Sequence, residues 1–160
     1  DERIHNVEYL SDKLSNIPCL QPAKVRYGCK HVFYVHSIKY RSSIAGIHRN
    51  RFVEAIKAEL MPTELRETEG VKVGAGYMKP LYLQPMYQRR IAFGADGCPW
   101  TCERYKGSVS YKKGICPTVE RMYYEELITH ELMRPPMTKQ DLDDVVEAFV
   151  KVWNNREELR

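Results

Sequence analysis

Apolar side chains recur at two different periods along this chain, and the switches between them mark out its elements. Within residues 3–15, Ile4, Val7, Leu10 and Leu14 follow helical spacing, so one face of a helix is apolar. That helix is expected to end near Asn16, because Ile17 precedes Pro18 and a residue before proline is pushed toward extended backbone. Residues 19–28 read as loop with a short strand. The stretch 31–40, His-Val-Phe-Tyr-Val-His-Ser-Ile-Lys-Tyr, is rich in β-branched and aromatic residues and lacks Pro and Gly, which predicts a strand. Alternation puts Val32, Tyr34, His36, Ile38 and Tyr40 on one face, and Phe33, Val35, Ser37 and Lys39 on the other.

A second helix is predicted over 49–60, with Phe52, Ile56 and Leu60 on one face, Val53 beside them, and Met61-Pro62 as its stop. Residues 71–77 read as a second strand, in which Gly74 and Gly76 point to close approach of another backbone or a ligand. A short helix is expected around Gln84 to Arg90. From Gly94 to Gly114 the chain is rich in Gly, Cys and Tyr without periodicity, which reads as a long loop or insertion. Residues 117–127 look helical, with Pro117 early and Val119, Met122, Tyr123 and Leu127 facing inward. Ile128 to Met133 reads as a third strand, broken by Arg134-Pro135-Pro136. The last helix has Thr138 as N-cap, Asp141 at N3, acidic residues in its first turns, and an apolar stripe of Leu142, Val145, Val146, Phe149, Val150 and Trp153. The sum is an α/β domain: a two-layer sandwich with a small, mostly antiparallel sheet of about three strands and helices packed on one face.

At 160 residues the chain fits a single domain, read as 1–160 with 94–114 inserted, and 43% apolar and 29% charged residues are ordinary for a globular protein. No apolar run approaches the roughly 18–20 residues of a membrane span. The start, Asp1-Glu2-Arg3, lacks an initiator Met and opens on a helix already under way, which suggests a fragment or processed product. The net charge of +4 is mild, and the basic residues, Arg49 among them, are scattered as on a solvated surface rather than a nucleic-acid stripe. Five cysteines without a secretory signal fit the reducing cytoplasm. Cys98 and Cys102 form a CxxxC with no second knuckle, so free structural thiols are expected in preference to a metal site on Cys98, Cys102 and Cys116. His31, His36 and His130 read as satisfied structural residues, and the methionines as gap-fillers.

GxSxG, P-loop, HExxH and GxGxxG motifs are all missing. The run Gly76-Tyr77-Met78-Lys79-Pro80-Leu81-Tyr82-Leu83-Gln84-Pro85-Met86-Tyr87 stands apart. It gathers three tyrosines, two prolines, a lysine and a glutamine just after a strand, and so offers hydroxyls, an amide and a cation on a rigid turn. Such a set suits a polyhydroxylated, phosphorylated ligand, and equally an aromatic structural turn.

Gly74 to Pro85 is similar, position for position, to the Gly-x-His-Tyr-x-x-Pro-Leu-His-Leu-Gln-Pro-like run of sugar aminotransferases of the DegT/DnrJ/EryC1/StrS type. Asn6-Val7-Glu8-Tyr9-Leu10, His31-Val32-Phe33-Tyr34, Arg51 to Ile56, Cys116 to Arg121, and Arg134 to Thr138 with the final helix resemble that family's small C-terminal domain in the same order. Two of the family's histidines are Gly76 and Tyr82 here, so their roles do not transfer. The resemblance implies a pyridoxal-phosphate-dependent aminotransferase acting on a keto-sugar, nucleotide-linked, with a homodimeric parent. The cofactor lysine belongs to the large N-terminal domain, and no lysine here matches its motif. This chain would close one side of the active-site cleft, with Tyr77, Lys79, Tyr82 and Gln84 as the substrate-binding edge. By itself it would neither hold the cofactor tightly nor transaminate. A stand-alone α/β module binding a protein or a nucleic acid is the other reading.

Overall fold

The computed structural model describes residues 1–62, 68–94 and 96–160, so Ala95 of the expected 94–114 loop lies outside the described residues. The chain divides into two compact units, Asp1–Tyr77 with Tyr124–Arg160, and Met78–Tyr123.

The first unit is built on a four-stranded sheet of β1 (Leu20–Pro22), β2 (His36–Tyr40), β3 (Val73–Ala75) and β4 (Leu127–His130), in the order β1-β2-β4-β3 with every neighbour antiparallel. Leu20 lies opposite Tyr40, Ile38 opposite Ile128, and His130 opposite both His36 and Val73. Residues directly opposite share a face, so these seven side chains point the same way, and all are buried. Against them pack α1 (Glu2–Leu14) through Val7, Leu10 and Leu14, α3 (Arg49–Glu59) through Phe52, Val53 and Ile56, and α6 (Lys139–Asn154) through Leu142, Val145 and Phe149. The α/β class, the antiparallel sheet and the helices laid on it are as the sequence pattern predicts; the short β1 makes the sheet four strands rather than about three. A one-turn helix, α2 (Ser42–Ala45), ends at Gly46 in the left-handed conformation.

The strand expected over 31–40 begins only at His36. Phe33 sits at φ 48°, and its N–H donates to His31 Nδ1 at 2.9 Å. A left-handed residue breaks the pleat, so Phe33 turns inward (4% exposed) while Val32 and Tyr34 face solvent at 67% and 64%. Arg49 is also not a surface cation: it is buried, with Nη1 donating to the Leu127 carbonyl at 3.1 Å and Nη2 to that of Tyr124 at 3.0 Å, which ties α3 to the start of β4. At α6 the capping box is complete, since Thr138 Oγ1 accepts from the Asp141 N–H and the Asp141 carboxylate accepts from the Thr138 N–H. Its buried stripe is rotated from the expected one: Ala148 and Val152 join the core, whereas Val150 is exposed.

The second unit carries a single 3-10 turn (Leu81–Leu83), α4 (Pro85–Arg89) and α5 (Pro117–Arg121). The described residues of 94–114 form turns and no helix or strand. The helix expected over 117–127 stops at Arg121 and continues as a π-turn, Met122–Glu126, that feeds β4. Val119, expected inside, is exposed.

Candidate functional site

In the first unit, the two glycines of β3 and its exit respond to a neighbouring strand. A Cβ on Gly74 would stand 3.0 Å from Thr129 Oγ1, inside ordinary contact. Gly76, at φ 87°, donates its N–H to the Leu127 carbonyl at 2.6 Å and accepts from Thr129 Oγ1 at 2.8 Å. The close approach expected of these glycines is therefore made to β4 backbone and to Thr129, on the sheet face opposite the helices. Tyr77 follows at once and is 52% exposed.

Three chain segments meet there. Tyr34 precedes β2, Tyr77 follows β3, and Glu131 follows β4. The Tyr34 phenol beside it, partial burial and the Glu131 carboxylate push the Tyr77 hydroxyl above its ordinary value, so it stays a hydrogen-bond donor. Arg134 pairs with Glu131 at 2.8 Å and places its guanidinium 5.7 Å from the centre of the Tyr34 ring. The result is a surface of two phenols, a carboxylate and a guanidinium, groups able to bind hydroxyls and anions. Of these, sequence reasoning named only Tyr77. Tyr34 was assigned to a strand face, and Arg134 to the break after the third strand and to the segment that resembles the family's closing one.

In the second unit, Lys79, Tyr82 and Gln84 share one turn. Lys79 is exposed, and its carbonyl accepts from Gln84 Nε2 at 2.9 Å. Tyr82 is buried with its hydroxyl on the Glu120 carboxylate, which also accepts from the Gly114 N–H at 2.6 Å. Those bonds, the phenol's first, hold Glu120 below the usual carboxylate range. Tyr82 and Gln84 thus brace the turn, and Lys79 presents its charge.

Beneath the sheet runs a buried polar chain. The Leu132 N–H donates to His130 Nδ1 at 3.3 Å, so the proton of this neutral ring is on Nε2. Nε2 then donates to His36 Nδ1 at 2.8 Å, and His36 Nε2 donates to Ser11 Oγ at 3.1 Å. Burial, helped by His31, pulls His36 down to about 4; burial, helped by His36, pulls His130 well below 6.5. Both histidines are neutral core residues that tie β2, β4 and α1 together.

Pyridoxal phosphate needs a lysine amine kept from water, with an acid and an aromatic face for the ring. No described lysine is buried, and the Lys139 amine is raised above its ordinary value by its bond to Asp143. The residues present do not fit the cofactor, and no chemical step is assigned to it in this chain. Among the described residues no group of three His, Cys, Asp or Glu is placed to hold a metal, the five cysteines are free thiols, and no helix is long and apolar enough to cross a membrane.

No protein-family model matches the chain. A crystal structure of the aminotransferase TlmJ from Streptoalloteichus hindustanus superposes with a TM-score of 0.55 at 18% identity, covering 98% of this chain and 32% of that one, which is a likeness of fold. A protein of Streptoalloteichus tenebrarius, assigned as an L-glutamine:3-amino-2,3-dideoxy-scyllo-inosose aminotransferase, is 30% identical over 118 residues, 72% of this chain. The chain spans about a quarter of the length of that curated relative, 25%. Over that part of its length, this chain is homologous to an aminotransferase of the kind its motifs resemble.

Proposed function

We propose that this chain is the C-terminal small domain of a pyridoxal-phosphate-dependent aminotransferase acting on a nucleotide-linked keto-sugar, and that it closes one side of the active-site cleft. The 30% identity over 118 residues carries this reading. The relative's name pairs L-glutamine with an inosose, and the phenols and guanidinium of Tyr77, Tyr34 and Arg134 suit a polyhydroxylated substrate of that kind. In this reading Tyr77 and Lys79 touch the sugar, while Tyr82 and Gln84 hold the turn that presents Lys79. Both units belong to one domain of the parent, with 94–114 as an inserted loop. The large N-terminal domain is the partner, and it supplies the cofactor, an electron sink when bound. The parent is a cytoplasmic homodimer.

The test is amination by the full product of the gene that encodes this chain. Given pyridoxal phosphate, L-glutamine or L-glutamate, and a panel of nucleotide-linked keto-sugars, it is expected to form an amino-sugar detectable by mass spectrometry. Absence of amination across the panel removes the reading.

A further inference from the structure

A groove of about 750 Å³ runs along α6, and every residue that lines it belongs to the first unit. From α6 it takes Asp141, Asp144, Val145, Ala148 and Lys151, which recur at steps of three and four and so share one face of the helix. The rest of its lining comes from the end of α3 with Leu60 to Pro62, and from the segment after β4 with Leu132, Pro136 and Met137. From Asp141 to Lys151 the face covers about 15 Å of helix axis, close to three turns. None of Tyr34, Tyr77, Glu131 and Arg134 lines it.

The floor is apolar. Val145, Ala148 and Leu132 are buried, Leu60 and Met137 are half-buried, and Met61 reaches solvent at 87% exposure. Methionine side chains, unbranched and polarisable, adapt to the apolar surface they meet. Pro62 and Pro136 have no backbone N–H and so offer no donor to a small polar ligand. Such a strip is stabilised by apolar side chains that cover it.

The rim is acidic. It carries Glu59, Asp141, Asp144 and Glu147 against one lysine, Lys151, whose amine is already held by Glu59 at 2.6 Å. Four carboxylates against one ammonium leave the lining at −3, in a chain whose total is +4. Asp144 and Glu147, three residues apart on α6, are exposed. This field repels a phosphate, a nucleic acid or an anionic membrane and draws a cation. A bare cation would leave the floor uncovered. The occupant that satisfies both carries apolar and cationic side chains together, as an amphipathic helix laid in a groove does.

We propose that this groove docks a cationic amphipathic helix of another protein, its apolar side chains on Met61, Val145 and Ala148 and its lysines or arginines on Asp144 and Glu147. The sugar chemistry read above plays no part in it. The rival occupant is a second copy of this chain. Residues 78–123 hold eight Lys and Arg against three Asp and Glu, a net +5, and Arg89, Ile91 and Phe93 are exposed at and just beyond the end of α4. That helix has five residues, about 7 Å, and would fill only about half of a three-turn groove. A longer helix fits the groove better.

The probe is a fluorescein-labelled peptide of about 18 residues, with Leu and Lys set at helical spacing to give one apolar and one cationic face. Its anisotropy is expected to rise saturably on titration with the 160-residue chain. A peptide of the same composition in scrambled order is expected to bind about tenfold more weakly, and the ordered peptide to lose about tenfold against Asp144→Lys with Glu147→Lys. Both positions are exposed, so far-ultraviolet circular dichroism is expected to stay unchanged. Met61→Ser, which alters no charge, is expected to weaken binding about threefold. Should the charge-reversed pair unfold the chain, Met61→Ser and the scrambled peptide decide. No saturable rise, equal binding of the two peptides, displacement by spermine at the peptide's own concentration, or unaltered binding in either folded variant overturns the proposal. Sedimentation without peptide is expected to show no self-association that Glu147→Lys abolishes; finding it would put a second copy in the groove and overturn the proposal as well. The titration involves no cofactor and no turnover, so its failure and a failure of amination are separate results.

Discussion

The two units reach order by different means. In the first, apolar side chains come at a fixed period and meet across a registered sheet, so Ile38, Ile128, Phe52 and Phe149 are all fully buried. In the second, Pro80 and Tyr82 are the buried apolar side chains among the described residues, and the chain is held by side-chain bonds from Tyr82, Gln88, Arg90 and Trp100. Hydrophobic burial fixes a shape without regard to chemistry. A unit fastened by polar groups and left cationic keeps phenols, serines and guanidinium groups at its surface. The first unit is thus ordered by its core, and the second by polar bonds that leave hydrogen-bonding and charged groups exposed.

That contrast can be broken from the core outward. Phe149→Ala removes a side chain packed against Phe52 and His130, with ring centres at 6.3 and 6.4 Å. It is expected to cost about 3–5 kcal/mol in denaturant unfolding; a loss under about 1 kcal/mol would mean α6 is not core.

Acid comes next. His36 is held to about 4 and His130 well below 6.5, so both are neutral in the fold and take up protons once unfolded. Their stabilisation is complete above pH 6.5 and is lost as pH falls from there toward 4, on the order of 3 kcal/mol for His36 alone. His36→Gln should flatten the slope of unfolding free energy against pH in that window; an unchanged slope would show that the pair does not titrate on unfolding.

Smaller effects sharpen the picture. Thr138→Ala deletes the cap of α6 and should cost about 1 kcal/mol. Tyr82→Phe deletes its bond to Glu120 and should cost about 1 kcal/mol or less, confined to the second unit. Hydrogen exchange should then quicken at the Gly114 amide and stay unchanged at Ile38 and Ile128; quickening at all three would deny the units their separate support.

Legibility in the sequence followed the same divide. Helices α1, α3 and α6 and the antiparallel sheet were readable because their burial is periodic. The early part of the 31–40 strand was misread because composition does not reveal that Phe33 takes a left-handed conformation and sends Val32 and Tyr34 outward. Arg49 was misread because its partners are the Leu127 and Tyr124 carbonyls, more than seventy residues away. At the candidate site, the motif pointed to Tyr77, Lys79, Tyr82 and Gln84, but not to Tyr34, Glu131 and Arg134, which only the strand register gathers around Tyr77. Nor does alternation say that Tyr82 is bonded to Glu120 rather than open to a ligand.

The decisive measurement is steady-state transamination by the full enzyme carrying Lys79→Ala, with Tyr77→Phe alongside. If this edge touches the sugar, KM for the keto-sugar rises about tenfold in Lys79→Ala while kcat stays within about twofold, the loss of roughly 1.4 kcal/mol of binding made equally in ground and transition states. Unchanged KM in both variants, with kcat intact, would contradict a substrate-facing role for the turn.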